Sequence, residues 1–281
     1  MWLVLPSSVL ITTFQDKIWR YYHDFGRDLI WRHDPSPYEV VVSELMLQQT
    51  QVSRVSERFP CWMLKFPSIE ALASATVADV LEEWQGLGYN RRALFLHRIA
   101  QAVVTQYGGL LPTEQSELVK LPGIGINTAG SIAAFAFNLP VVFIETNIRR
   151  VFIHEFFIDV EVVSDTDLMP LIGESLDHEN PREWYYALMD YGSYLSKIVP
   201  NPNRRSKNHA VQSTFMGSRR QIRGEVLRQL MTGSKSTFEI IDLRLAEVLD
   251  SLVKEGFIES NNKVYSLRSD SIEECLTPIK H

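Results

Sequence analysis

The chain has 281 residues, 45% of them apolar, two cysteines and a formal net charge of −6. That length and apolar content suffice for a substantial buried core and two or three compact units. No apolar run reaches the roughly 18 to 20 residues of a membrane span, and Met1 to Leu5 lack the basic flank and cleavage site of a signal peptide, so a cytosolic protein is expected.

Cys61 and Cys275 could form at most one disulfide and are too few for a metal site built only of thiolates; both read as small hydrophobes. The negative net charge argues against a polyanionic partner. Its distribution argues the other way: between Lys197 and Lys235 nine basic residues stand against the single acid Glu225. That is a local +8, which leaves −14 for the remainder. A polyanion footprint and a solvated basic linker would both give this asymmetry.

Apolar residues recur at helical spacing over most of the first two hundred positions, so this part reads as mainly α. The first helix is expected over 14–24. Ser36-Pro37-Tyr38-Glu39 then forms a capping box, with proline at the first helical position, for a helix running through Glu44 toward Phe59. Further helices are expected over 68–74, 76–84, 90–107, 113–120, 127–137, 146–157 and 181–196. Val199 to Gly217 has no apolar period and reads as a loop. Beyond it, helical spacing over 219–230 and 243–253 precedes two short strands, 257–260 and 263–267, joined around Asn261-Asn262. Helices followed by a hairpin suggest a small winged-helix-like domain at 216–270, with 271–281 as a tail. Glu247, Asp250 and Glu255 on its second helix suit a nucleic acid poorly, which favours packing or a protein partner for this domain.

The most specific string is Leu121-Pro122-Gly123-Ile124-Gly125-Ile126-Asn127-Thr128-Ala129-Gly130, between two apolar-periodic helices. Gly123 and Gly125 permit a tight hairpin and let amide N–H groups beside a helix N-terminus approach a phosphate. This string resembles the hairpin of the helix-hairpin-helix (HhH-GPD) DNA glycosylase superfamily, which includes MutY-like adenine glycosylases and endonuclease III. Ser43 to Val52 is similar almost letter for letter to the MutY active-site helix. Gly86-Leu87-Gly88-Tyr89 with Arg91, Arg92 and Ala93 resembles its DNA-inserting loop.

The resemblance runs from about Phe14 to Tyr194 and implies a two-lobed helical fold. It places a hairpin-bearing lobe at about 38–140 and a second lobe at 1–37 plus 141–215, within a glycosylase domain over 1–215. The implied partner is double-stranded DNA with a mispaired or damaged base, acted on by a monomer, associated with the nucleoid if the source is bacterial.

The implied activity is excision of a flipped-out adenine opposite 8-oxoguanine or guanine. That chemistry needs a proton for the leaving base and a negative charge near the sugar as it becomes cationic. Apolar neighbours should raise the pKa of Glu44, to which the resemblance gives the general-acid role at adenine N7. Glu145 falls where the family has an aspartate, at the start of a helix whose dipole favours an anion. Glutamate reaches about one bond further, and displacement on the order of 1 Å can cost a hundredfold in rate.

Asn127 stands where lyase-type relatives carry a Schiff-base lysine, so base removal without strand cleavage is expected. Gln48 and Tyr89 match residues that enter the base stack, and Trp31 and Arg32 resemble the segment lining the base pocket. The four cysteines that hold a [4Fe–4S] cluster in most relatives are missing after 184–196, so a clusterless variant without a cofactor is expected. In it Arg204, Arg205 and Lys207, with Arg219 and Arg220, would contact phosphates. The winged-helix-like unit is expected in place of the C-terminal domain with which MutY relatives recognise 8-oxoguanine. A glycosylase for another base, such as thymine opposite guanine, a non-catalytic DNA-binding module and an adaptor acting through 219–267 stay open as alternatives.

Overall fold

The computed structural model describes residues 8–209, 214–233, 235–238 and 243–268. The tail 271–281, with Cys275, lies outside them. The chain divides into two compact units, Met1–Glu44 with Leu111–Val211, and Leu45–Leu110 with Gln212–His281. The hairpin therefore groups with the N-terminal and later helices, not with 45–110. The C-terminal segment does not stand alone but belongs with 45–110. Both points correct the division expected from the sequence, because tertiary packing and not chain proximity sets the grouping.

The first unit contains helices α1 (Ser8–Phe25), the start of α2 (Pro37–Leu47), α7 (Gln115–Leu118), α8 (Ile126–Phe137), α9 (Thr146–Phe156), α10 (Asp165–Glu174) and α11 (Pro181–Ile198), with 3₁₀ turns at Ile30–Arg32 and Pro202–Arg205. Its core is aromatic. Phe14 of α1 sits 5.3 Å from Phe152 of α9 and 6.0 Å edge-on from Trp184 of α11, ring centre to centre, spacings at which such rings attract. Gly192 lets α11 touch the start of α9, since a Cβ there would lie 2.5 Å from the Asn147 carbonyl oxygen.

The expected capping box is present: the Ser36 amide donates to Glu39 Oε2 at 2.7 Å and the Glu39 amide to Ser36 Oγ at 3.3 Å. The helix does not continue to Phe59, however. It ends at Leu47, Gln49 takes φ +54, and α3 restarts at Val52. A bulky left-handed residue cannot sit inside an α-helix, so Gln48 lies on a turn. The helix α10 was not anticipated, although Ser164 and Asp167 cap it.

The second unit contains the end of α2, then α3 (Val52–Lys65), α4 (Ile69–Ala73), α5 (Val77–Glu83) and α6 (Arg91–Tyr107), followed by α12 (Arg219–Thr232), β1 (Ser236–Thr237), α13 (Leu243–Lys254), β2 (Ile258–Asn261) and β3 (Val264–Leu267). Trp62 and Trp84 meet edge-on at 5.6 Å in its core. The strands order β1-β3-β2, all antiparallel. The hairpin turns on Asn262 and Lys263, both left-handed at φ +51 and +64, as a two-residue turn matching strand twist requires. Its turn is one residue later than expected, and β1 is an extra strand. Among the described residues no helix is long and apolar enough to cross a membrane.

Candidate active site

Glu44 projects from α2 in the first unit, between the fully buried neighbours Leu45 and Met46 on one side and Ser43 on the other. Its Oε2 accepts a 2.5 Å hydrogen bond from Ser131 Oγ of α8, a hydroxyl that also lies 3.0 Å from the Thr128 carbonyl. Burial pushes the Glu44 carboxyl up to about 7. The Ser131 hydroxyl and the Arg32 cation oppose this, and the charge of Glu145 adds to it.

Glu145 is the N-cap of α9. Its backbone is extended and its side chain folds back, so that Oε1 accepts from the amides of Asn147 at 2.7 Å and Ile148 at 3.0 Å. Asn147 Nδ2 reaches Oε2 at 3.4 Å. Burial raises its pKa, and the two amides, Arg150 and Asn147 pull the other way. Arg150 is itself fixed, donating to Asn147 Oδ1 at 2.6 Å and to the Gly192 carbonyl at 2.7 Å.

The two carboxyls differ in what surrounds them. Glu145 faces donors, which can only meet an acceptor. Glu44 meets a hydroxyl, which can donate to a carboxylate or accept from a carboxylic acid. Burial raises both carboxyls, and their partners differ in which protonation state they favour.

Trp31 is buried at 5% exposure. Arg32 forms a bidentate pair with Asp190 of α11 at 3.0 and 2.9 Å, and its guanidinium lies 4.3 Å from the Tyr186 ring centre. Arg27 also binds Asp190, through its amide and Nε at 2.7 Å each. Asp190 went unnoticed in the sequence, although an acid among Trp184, Ala187, Leu188 and Tyr191 on the apolar face of a helix marks a buried ion pair. Ser131 carried no comparable signal.

In the hairpin, Gly123 takes φ +75, which favours glycine. Gly125 caps α8 at φ −85, and a Cβ there would meet nothing within 4 Å. Neither backbone nor packing demands glycine at 125 in the free protein. Asn127 is exposed, and its Oδ1 accepts from the Ile144 amide at 3.3 Å, tying the start of α8 to the residue before Glu145.

Gln48 and Tyr89 come together in the second unit on two loops held by one side chain that sequence reasoning had not singled out, Arg92. This guanidinium is buried beneath them. It donates to the carbonyls of Leu45, Met46, Gln48, Leu87 and Gly88 and to Thr50 Oγ1, at 2.5 to 3.1 Å. Burial lowers its pKa to about 10, which leaves it charged. Tyr89 is 36% exposed with φ +47. A bulky residue held left-handed stores strain that its surroundings must hold in place.

The expected phosphate contacts divide. Arg204 and Lys207 are exposed. Arg205 turns inward: it donates to the carbonyls of Phe157, Ile158, Val160 and Ile153, pinning the turn after α11 to the end of α9. Its expected phosphate role is corrected to a structural one. Asn203 Nδ2 adds a 2.9 Å bond to the Thr146 carbonyl. Arg219 pairs with Glu247 of α13, Arg223 with Glu255 just past it and Arg228 with Glu225 on the same helix, so these acids neutralise part of the local positive charge.

A four-thiolate cluster does not fit these donors. The chain has two cysteines, and Cys61 is an exposed free thiol on α3, not a buried hydrophobe. Among the described residues no group of three histidines, cysteines or acids could hold a metal ion.

Residues 42–167 match the model of the HhH-GPD superfamily base excision DNA repair proteins, and the chain belongs to that superfamily. It is 30% identical over 264 residues to the adenine DNA glycosylase of Mycolicibacterium smegmatis, covering 85% of this chain and 90% of that one. The adenine DNA glycosylase of Buchnera aphidicola subsp. Baizongia pistaciae is 33% identical over 194 residues, covering 67% of this chain and 54% of the relative. The chain thus spans about half the length of several curated relatives. The fold is shared with a thermostable thymine-DNA glycosylase at a TM-score of 0.60 and 22% identity, over 66% of this chain and 88% of that one.

Proposed function

We propose that the chain hydrolyses the N-glycosidic bond of an adenine flipped out of duplex DNA opposite guanine or 8-oxoguanine, without cutting the strand and without an iron-sulfur cluster. The observation that carries this reading is the carboxyl pair, with Glu44 poised near neutrality and Glu145 capped by amides. The likeness to adenine DNA glycosylases, at 30% identity over 264 residues to one of them, supports the choice of base.

Glu44 gives its proton to adenine N7, and the C1′–N9 bond breaks with its electron pair leaving on the base. The sugar cation is stabilised by the Glu145 carboxylate. Water then adds to C1′, and the proton it loses passes to Glu44, restoring the acid and leaving an abasic site. Asn127 has no amine with which to trap the sugar, so the backbone stays intact. Arg32 and Trp31 would line the base pocket, Gln48 and Tyr89 would fill the vacated stack, and the amides at Gly123 and Gly125 with Arg204 and Lys207 would hold phosphates. A substrate of this kind places the protein with the cell's DNA.

The test is product analysis on end-labelled duplexes carrying adenine opposite 8-oxoguanine, adenine opposite guanine, and thymine opposite guanine. Adenine release from the first two, with breaks only after alkali, supports the reading. Thymine release, or breaks without alkali, contradicts it.

A further inference from the structure

The segment 214–268 has no task in the chemistry above, yet it is fastened to the loop bearing Tyr89. Glu255 just past α13 is the fastening point. Burial would raise its carboxyl, but Arg91 of α6, Ser251 and Arg223 of α12 outweigh that and hold it at about 2. Arg91 and Arg223 both bind it in two-pronged fashion, at 2.7 to 3.1 Å. Arg98 of α6 donates to its carbonyl at 2.7 Å. One helical turn before Arg223, at the start of α12, Arg220 Nη1 donates to the Tyr89 phenol oxygen at 2.9 Å. The Arg220 guanidinium carbon lies 5.9 Å from the Tyr89 ring centre, and that of Arg92 5.5 Å from the same ring.

We infer that Arg220 is a positioning residue which sets the angle at which Tyr89 enters the base stack, so that the C-terminal segment takes part in discriminating the base opposite the excised one. This rests on Tyr89 being the stack-entering residue of the proposed glycosylase. The loop backbone is fixed from below by Arg92, but the ring beyond it still turns about two side-chain torsions. A hydrogen bond at the phenol oxygen, the far end of the ring, restrains the first, and the Arg92 and Arg220 guanidiniums beside the ring restrain the second. Stacking on a base depends on ring angle and offset, and the base beside an inserted ring is the one left unpaired when its partner flips. Arg219, Arg223 and Arg228 of α12 are paired with acids, which weakens their pull on a phosphate, and the segment acts by placing the ring. That gives the segment a role facing DNA beyond the packing or protein-partner contact expected from its acidic helix.

The test compares Arg220→Ala, Arg220→Lys, Tyr89→Phe and the double variant Arg220→Ala/Tyr89→Phe in the full chain. One readout is the single-turnover rate ratio for adenine opposite 8-oxoguanine over adenine opposite guanine. The other is the fluorescence of 2-aminopurine placed next to the opposite base, which brightens when a ring disturbs its stack. Arg220→Ala should change the ratio about tenfold and lower the fluorescence rise, with the salt dependence of binding unchanged. Tyr89→Phe, which keeps the ring and removes only the oxygen, should do the same. The double variant should be no worse than either, and lysine should restore part of the effect.

Unchanged fluorescence and ratio in Arg220→Ala, or effects that add in the double variant, would overturn the inference. Fluorescence that responds as expected while the wild type releases no base would uphold the placement of Tyr89 and overturn the reading of the chain as a glycosylase.

Discussion

The start of α9 and the middle of α2 each bring a glutamate into a half-buried setting, and they treat it differently. At α9 the carboxyl folds back on its own helix and meets two amides and an asparagine side chain. At α2 it meets a serine hydroxyl, with apolar neighbours along the helix and an arginine cation opposing its burial. Burial raises both groups. What separates the two is the kind of partner, since amide donors favour the ion and a hydroxyl tolerates either form.

Removing the proton donor should have the largest effect. Glu44→Gln keeps the shape and the ability to bind a flipped base but cannot protonate it, and single-turnover excision should fall by about a thousandfold or more at unchanged affinity. Glu145→Gln comes next, because the amide can still accept from the α9 backbone while the negative charge is gone. A loss of roughly a hundredfold in the same assay is expected. A Glu145→Gln enzyme as active as wild type would mean that the capped carboxyl serves only the helix.

The inward arginine offers a comparison within the basic stretch. Arg205→Ala leaves several carbonyls without a donor and should lower stability by roughly 2 kcal/mol in urea unfolding. Arg204→Ala with Lys207→Ala should leave stability alone and flatten the salt dependence of DNA binding by about one to two counterions. Equal effects from the two sets would erase the distinction drawn from their contacts.

Ser131→Ala is the smallest change. The Ser131 hydroxyl favours the Glu44 carboxylate, so its loss should raise the Glu44 pKa further. Activity that needs the protonated acid falls as pH rises through that pKa, near 7 in the wild type. The descending limb of the pH–rate profile should therefore move to higher pH in the variant. A limb that stays in place would show that this hydrogen bond does not reach the reacting carboxyl.

Local signals were legible in the sequence. The capping box at Ser36, the spacing of α6, α8, α9 and α11, the glycine string at 121–130 and both carboxyls lie where the pattern puts them. What escaped was set by contacts between distant segments. The charge of 197–235 looked unbalanced because its balancing acids, Glu247 and Glu255, come later in the chain. Arg205 looked like a surface cation because carbonyls left open at the end of a helix leave no mark on the residue that will cap them. Arg92 stood inside a recognised string, yet nothing local shows that six acceptors converge on it. Gln49 broke a helix that its apolar pattern would have continued, because the turn that presents Gln48 outweighs local propensity.

The account turns on the division of labour between Glu44 and Glu145. It is tested most directly by ¹³C NMR titration of the glutamate side-chain carboxyls, with the two resonances assigned from Glu44→Gln and Glu145→Gln. The account predicts that Glu44 gains its charge near pH 7 while Glu145 is already ionised throughout that range. A Glu44 signal ionised well below neutrality, or a Glu145 signal that carries the late titration instead, would contradict it.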